Sequence, residues 1–363
     1  MAERVLVAMS GGVDSSVAAA MLVEQGYDVV GATMKLTCHS DELPDRPCCS
    51  LDSVNDARRV CDQLGIPHYV LNLEKAFGRD VVDDFVHEYA RGRTPIPCVR
   101  CNTFTKFRDL VVKADAIDAE LVATGHYARV IDGRLHRGLD PAKDQSYFLW
   151  GLRREILSRL RLPVGGLTKA ETRQRASHLG LQLVANKAES QDICFVPDGD
   201  HVKVIARRLG EDDPSLQPGP FLLASGGVVG RHDGFARYTV GQRRGLPGGF
   251  SEPMFVLDID PEQRAVVIGP RQALLGKTVF AGELNWLVAP LTQGDVVFGQ
   301  IRHRAPATPA TVIAASEQRL ELAFSSPVSA ISPGQSLVLY RDSQVIGGGV
   351  IDRSPRSLPV AAA

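Results

Sequence analysis

Several features that would classify the chain quickly are missing. Its 363 residues hold no apolar run approaching the length that crosses a bilayer, so no membrane partner is expected. Met1-Ala2-Glu3-Arg4 leads straight into an apolar segment, so no signal or transit segment is expected and a cytoplasmic location is. Net charge is almost absent: 41 Lys and Arg against 42 Asp and Glu leave −1. No global field draws nucleic acid to such a chain, and a polyanion must be held by a local basic face. Candidates for that face are Arg91, Arg93, Arg100, Lys106 and Arg108, then Arg153, Arg154, Arg159 and Arg161. The seven cysteines are odd in number, which argues against a disulfide framework and for chemistry or metal binding. Internal repeats are lacking. So are the Gly-Lys-Ser/Thr ending of a Walker A loop and the Gly-x-Gly-x-x-Gly dinucleotide fingerprint.

What is present starts at residue 5. The apolar run Val5-Leu6-Val7-Ala8-Met9 precedes Ser10-Gly11-Gly12-Val13-Asp14-Ser15-Ser16, and an Ala-rich segment follows. The pattern predicts a strand, a tight turn and a helix start. Two glycines let the backbone turn sharply and expose its N–H groups, and a helix start with exposed N–H groups is an anion site. Ser10, Asp14, Ser15 and Ser16 are expected to supply cap oxygens and hydroxyl donors.

Up to about residue 125, apolar runs alternate with helical segments. Strands are expected at 5–9, 28–34, 68–73 and 121–124, and helices at 16–25, 53–64, 75–90 and 105–116. This predicts a parallel sheet covered by helices, with ligands at the carboxyl ends of its strands. The loop 10–16, Met34 and Gly125-His126 should then line one crevice. Ile131-Asp132-Gly133-Arg134 reads as a hairpin turn, and Thr168-Lys169-Ala170-Glu171 as a capping box. From Pro218 onward glycines and short β-like runs dominate. The expected fold class is α/β: a parallel-sheet catalytic domain over 1–200, a small mixed or β domain over 201–272, and a β-barrel over 275–355. A frayed tail should close the chain.

Two cysteine contexts stand out. Thr94-Pro95-Ile96-Pro97-Cys98-Val99-Arg100-Cys101 is expected as a rigid, extended loop that presents Cys98 and Cys101 outward. A Cys-x-x-Cys pair serves as a redox pair, a metal half-site, or a nucleophile with a neighbour. Arg93, Arg100 and Lys106 would lower a thiolate pKa there. Cys194 stands alone in Ser190-Gln191-Asp192-Ile193-Cys194-Phe195. Cys38-His39 and Cys48-Cys49 flank a charged, Pro-containing insert, which is either a zinc site or, better, a redox-exposed lid. Cys61 reads as core.

The Ser-Gly-Gly-x-Asp-Ser loop resembles that of the N-type ATP pyrophosphatases (PP-loop enzymes, adenine nucleotide alpha hydrolase-like). The resemblance implies that ATP is cleaved to AMP and pyrophosphate. With the loop, the cysteine segments, Ala123-Thr124-Gly125-His126-Tyr127, Lys143-Asp144-Gln145-Ser146-Tyr147-Phe148-Leu149, Tyr238-Thr239-Val240-Gly241-Gln242-Arg243-Arg244-Gly245 and Ser332-Pro333-Gly334-Gln335, the whole chain resembles the tRNA-specific 2-thiouridylases. That resemblance implies adenylylation of C2–O of the wobble uridine, with sulfur delivered by a Cys194 persulfide. Cys101 would then close a Cys101–Cys194 disulfide. It implies ATP with Mg2+ at Ala8, Met9, Ser10, Gly11, Gly12, Val13, Asp14, Ser15, Met34 and Gly125. The anticodon arm of tRNA would lie at Ile96, Pro97, Cys98, His126, Lys143, Asp144, Gln145, Arg302, His303 and Gln335. Arg302 and Arg304, if on one strand, would share a face. A persulfide donor such as a cysteine desulfurase or a sulfur carrier protein is the implied partner, and a monomer the implied free state.

The chain departs from that family at Ile96-Pro97-Cys98, where many members carry Asn-Pro-Asp. Cys98 either replaces the Asp as an acid or base, or another group acts. A further alternative is a [4Fe–4S] cluster on Cys98, Cys101 and Cys194. Two rival functions remain at this level: a PP-loop ligase or synthetase needing no cysteine pair, and a tRNA-binding protein without activity.

Overall fold

β1 (Arg4–Ala8) is buried on both faces, with Val5 and Val7 fully enclosed, which is why it reads as continuous apolar sequence. The computed structural model describes residues 2–36, 51–185, 187, 193–196 and 198–353. Cys38, Cys48, Cys49 and the segment 188–192 lie outside the described residues. The chain forms two compact units. The first comprises Met1–Val81, Cys98–Gly199 and Ser343–Ile346; the second comprises Val82–Pro97, Asp200–Asp342 and Gly347–Ala363.

In the first unit α1 (Val13–Glu24) follows β1, then β2 (Asp28–Lys35), α2 (Leu51–Leu64), β3 (His68–Asn72), α3 (Phe107–Asp115) and β4 (Leu121–Thr124). The strands are parallel in the order β3-β2-β1-β4, with Leu160–Arg161 at the edge beyond β4. The fold class is the expected α/β one. The order reverses at β1, so the ends of β1 and β4 flank a switch point, with Ala8 in register with Thr124. The alanines of α1 let it pack closely on the sheet, in one core with Ala57, Val60 and Cys61 of α2. A Cβ at Gly31 would lie 2.6 Å from Cys61 Sγ, so helix and strand meet through a glycine. Burial pushes the Cys61 thiol up to about 12, as suits a core thiol.

The hairpin forms at Ala128–Ile131 and Arg134–Arg137, with Asp132 and Gly133 at φ 50 and 69. The capping box forms too, opening α4 (Lys169–His178). Two expectations fail through π-helical turns. The segment 75–90 is not one helix: Glu74–Phe77 passes through a π-helical turn, Gly78–Val82, before Asp83–Ala90. Gly78 weakens the helix there, and Asp80 is drawn to Arg79 and Arg108. The cysteine segment is not extended. Pro97 presets φ for a helical turn, Pro97–Arg100, and a π-helical turn follows at Cys101–Lys106.

In the second unit four strands, Met254–Asp260, Ala265–Pro270, Gly219–Leu223 and Val228–His232, form a sheet over a core of Phe221, Phe235, Val256 and Ile268. Six strands, Leu275–Trp286, Leu320–Ser329, Thr308–Ala315, Val296–Gln300, Ser336–Arg341 and Gln344–Asp352, form a barrel. It closes where the first pairs with the last. Leu275–Trp286 is the longest described strand. Its alternation is broken by register shifts after Gly276 and after Gly282, and by Glu283 at φ 46. No described helix is long and apolar enough to cross a membrane.

Candidate functional site

The loop after β1 is built by glycine where only glycine fits. Gly11 has φ 69, and a Cβ on it would collide with the Ser53 carbonyl. A Cβ on Gly125, just past β4, would run into the Asp14–Ser15 backbone. The two strand ends therefore meet backbone to backbone. Gly12 occupies the cap of α1 and no side chain caps the helix, which corrects the expectation that the serines would. Ser15 Oγ and Ser16 Oγ instead donate to the Gly12 carbonyl (3.1 and 2.9 Å), and Ser10 N donates to Ser15 Oγ (3.1 Å). A helix start without a capping side chain is suited to an outside anion. Met9 and Val13 are core residues, and Met34, at the end of β2, is also buried.

Two lysines far away in sequence reach this loop. Lys169, the first residue of α4, places Nζ 2.7 and 2.9 Å from the Asp14 carboxylate, and the Tyr127 hydroxyl donates to the same carboxylate at 2.8 Å. Lys187 Nζ donates to the Gly11 carbonyl (3.1 Å) and pairs with Asp56 (2.8 Å). Sequence reasoning missed both. Lys169 was legible only as part of a capping box, and nothing local links either residue to a loop more than 150 positions earlier.

His126 follows Gly125 at the same strand end. Thr124 Oγ1 and His126 Nδ1 are 2.7 Å apart, and Phe107 lies 5.8 Å from the ring. Burial, and then the Lys106 charge, push the His126 pKa down to about 3, so the ring is neutral and available for hydrogen bonding.

The cysteines occupy unlike surroundings. Cys101 opens the π-helical turn and is buried, not outward; Cys98 and Cys194 are exposed, and none of the three is in a disulfide. The Cys101–Lys106 turn packs against Glu74–Phe77, and Phe195, next to Cys194, sets its ring edge-on to Phe77 at 5.7 Å. Both cysteine segments thus meet the Glu74–Phe77 helix. The π turn also buries Asn102 Oδ1 and Thr105 Oγ1 without hydrogen-bond partners, the kind of local cost that π turns carry at functional sites. Among the described residues, no three His, Cys, Asp or Glu side chains assemble into a metal-holding group. Cys98, Cys101 and Cys194 are thus not gathered into one such group here.

Much of the anticipated basic face is engaged elsewhere. Arg93 pairs with Glu88 (2.7 Å) and Asp352 (2.9 Å), Arg108 with Asp80 and Asp109, and Arg159 with Asp115. Arg100 lies over the Phe104 ring at 4.5 Å. Asp144 accepts from Arg137, from the Gly138 and Ser146 N–H groups and from Ser146 Oγ, so it braces its own turn. Gln145 accepts from Tyr127 N, and Lys143 is half-buried beside it. In the second unit, Ile96 and Pro97 lead up to the cysteine turn, and Gln335 donates to the Thr94 carbonyl. Arg302, His303 and Arg304 are not on a strand. Val296–Gln300 ends first, and Gln300 Nε2 donates to the Arg302 and His303 carbonyls, so Arg302 and Arg304 share no strand face.

A family model described as tRNA methyl transferase HUP domain matches residues 3–198. One described as tRNA methyl transferase PRC-barrel domain matches 205–270, and one described as aminomethyltransferase beta-barrel domain matches 277–351. A protein of Geobacter metallireducens named tRNA-specific 2-thiouridylase MnmA is 47% identical over 360 residues, 96% of this chain and 97% of that one. One of the same name from Rhodospirillum centenum is 47% identical over 374 residues, 99% and 94% of the two chains. A solved 4-thiouridine synthetase–RNA complex with bound ATP aligns at 17% identity with a TM-score of 0.38, covering 58% of this chain and 51% of that one. It is too remote to carry an argument.

Proposed function

Since the chain belongs to the tRNA-specific 2-thiouridylase family, we propose that it thiolates C2 of the wobble uridine of tRNA at the expense of ATP. The triphosphate lies on the uncapped start of α1, in the turn that Gly11, Gly12 and Gly125 keep open. Lys169 and Lys187 supply positive charge as the α-phosphorus is attacked. Met34 meets the adenine. The target base leaves its stack to enter the crevice, and neutral His126 hydrogen-bonds to it. Lys143, Asp144, Gln145, Ile96, Pro97, Cys98, Arg302, His303 and Gln335 remain the candidate tRNA contacts.

The C2 oxygen attacks the α-phosphorus, pyrophosphate leaves, and C2–O becomes a good leaving group as AMP. The terminal sulfur of a Cys194 persulfide attacks C2, and the C2–O bond breaks. The Cys101 thiolate then attacks Cys194 Sγ, freeing the thiolated base and leaving a Cys101–Cys194 disulfide. An external thiol reductant reopens it. A cytoplasmic persulfide donor, such as a cysteine desulfurase or a sulfur carrier protein, reloads exposed Cys194.

The observation that carries this reading is that the Cys101 turn and Phe195, next to Cys194, both pack on the Glu74–Phe77 helix within the unit that holds the glycine loop. Cys101→Ser and Cys194→Ser should each abolish catalytic thiouridine formation while tRNA-dependent pyrophosphate release from ATP remains detectable. Thiolation surviving in either variant would sink the persulfide–disulfide route. Full turnover in both would favour a PP-loop ligase instead.

A further inference from the structure

The sulfur-transfer steps use Cys101 and Cys194 and give Cys98 no share in making or breaking bonds. Helical backbone nevertheless runs unbroken from Cys98 to Cys101. Pro97–Arg100 is a helical turn, Arg100 has φ −58 and ψ −45, and Cys101 opens the π-helical turn. Residues three apart on such a turn are neighbours on one face, with roughly 5–6 Å between their Cβ atoms. A disulfide needs about 3.5–4.5 Å. Cys98 and Cys101 are therefore one small backbone adjustment from bonding. The place for that adjustment is the π turn itself. It departs from α geometry at Cys101, and it encloses Asn102 Oδ1 and Thr105 Oγ1 without hydrogen-bond partners. A turn that already leaves polar groups unmet gives up little when it shifts. The two thiols also differ in access: Cys98 is exposed, whereas Cys101 is only 8% exposed. A reductant arriving from solvent meets Cys98 more readily than Cys101.

We propose that Cys98 is the resolving thiol of the sulfur-transfer cycle. Its thiolate attacks Cys101 Sγ of the Cys101–Cys194 disulfide. The bond to Cys194 breaks, a Cys98–Cys101 disulfide forms, and Cys194 leaves as a thiolate. One disulfide replaces another, so this step consumes neither oxidant nor reductant; the proton lost by Cys98 balances the one Cys194 takes up. The external thiol reductant that the cycle already needs then attacks exposed Cys98 Sγ, and Cys101 leaves. A second reductant thiol frees Cys98, and the reductant departs as its own disulfide. Cys194 is thus ready for the next persulfide sulfur before any reductant arrives. The inference rests on the persulfide–disulfide reading and extends it to a third cysteine.

The test loads the full chain with sulfur from a cysteine desulfurase and cysteine, then removes both. A tRNA transcript and ATP are added without reductant, the reaction is quenched with N-ethylmaleimide, and disulfides are mapped by mass spectrometry. Wild type should end with Cys98 joined to Cys101 and with Cys194 alkylated. Cys98→Ser should accumulate the Cys101–Cys194 disulfide and need ~10-fold more dithiothreitol for half-maximal steady turnover. Cys61, buried and with its thiol pushed up to about 12, should escape alkylation in both proteins, which shows that the variant is folded. Thiouridine formed in a wild-type chain that stops at Cys101–Cys194, or that links either cysteine to another partner, overturns the resolving role and leaves the functional reading standing. Loss of first-turnover thiouridine in folded Cys98→Ser also overturns it, because Cys98 then acts before the disulfide exists. Thiouridine formed with no disulfide removes the disulfide route and the resolving step together. No thiouridine from loaded wild type overturns the functional reading itself.

Discussion

The glycine loop of the first unit and the arginine cavity of the second are both suited to anions, and they are built in opposite ways. The loop uses backbone: a strand end, two glycines and a helix start within seven consecutive residues. Its lysines are already held, Lys169 by Asp14 and Lys187 by Asp56. The cavity is lined by side chains from positions 243, 271 and 302. A backbone site tolerates no added atom but keeps its shape when a charge is lost. A side-chain site tolerates small changes in shape but answers directly to charge.

The largest effect that would break this contrast is expected at Gly11. Gly11→Ala forces a Cβ into the Ser53 carbonyl at a positive φ. Strain of this kind costs on the order of 1–3 kcal/mol before the clash is counted. AMP formation should fall by more than ~100-fold, about 2.7 kcal/mol of lost transition-state binding. Near-normal turnover would mean that the loop is not the phosphate site. A smaller effect is expected at Lys169, where charge assists the backbone. Lys169→Met should raise the KM for ATP roughly 10-fold, about 1.4 kcal/mol, while leaving tRNA affinity unchanged. An unaltered KM would confine Lys169 to bracing Asp14.

The smallest effect concerns His126. Its folded pKa of about 3 lies below the ordinary 6.5, so between those values the unfolded chain binds the extra proton. The stability held in the neutral ring is therefore complete above about pH 6.5 and is lost as pH falls toward 3. His126→Gln should flatten the rise of stability with pH across that window in urea titrations. A slope equal to wild type would refute the assignment.

Much of the fold was legible because its signals are local. Apolar runs spaced by helical segments predicted the parallel sheet, Asp132-Gly133 its hairpin and Thr168-Glu171 a helix start, and each is observed. Errors arose where tertiary contacts overrode local preference. The two π-helical turns at Gly78–Val82 and Cys101–Lys106 replaced a continuous helix and a loop. Register shifts and a strained Glu283 hid the longest barrel strand. Arg302 and Arg304 looked like strand neighbours until Gln300, bonding to the carbonyls that follow, closed a turn instead.

By itself the sequence determined the strand–Gly-Gly–helix junction, because strand period, glycine conformation and helix start are properties of adjacent residues. Only the tertiary structure decided which charges reach that junction, that Cys101 is buried while Cys98 and Cys194 are exposed, and that three arginines line one cavity. The charges at the junction come from more than 150 positions away, and the arginines of the cavity from tens of positions apart. No local propensity encodes such meetings; the packing of the core imposes them.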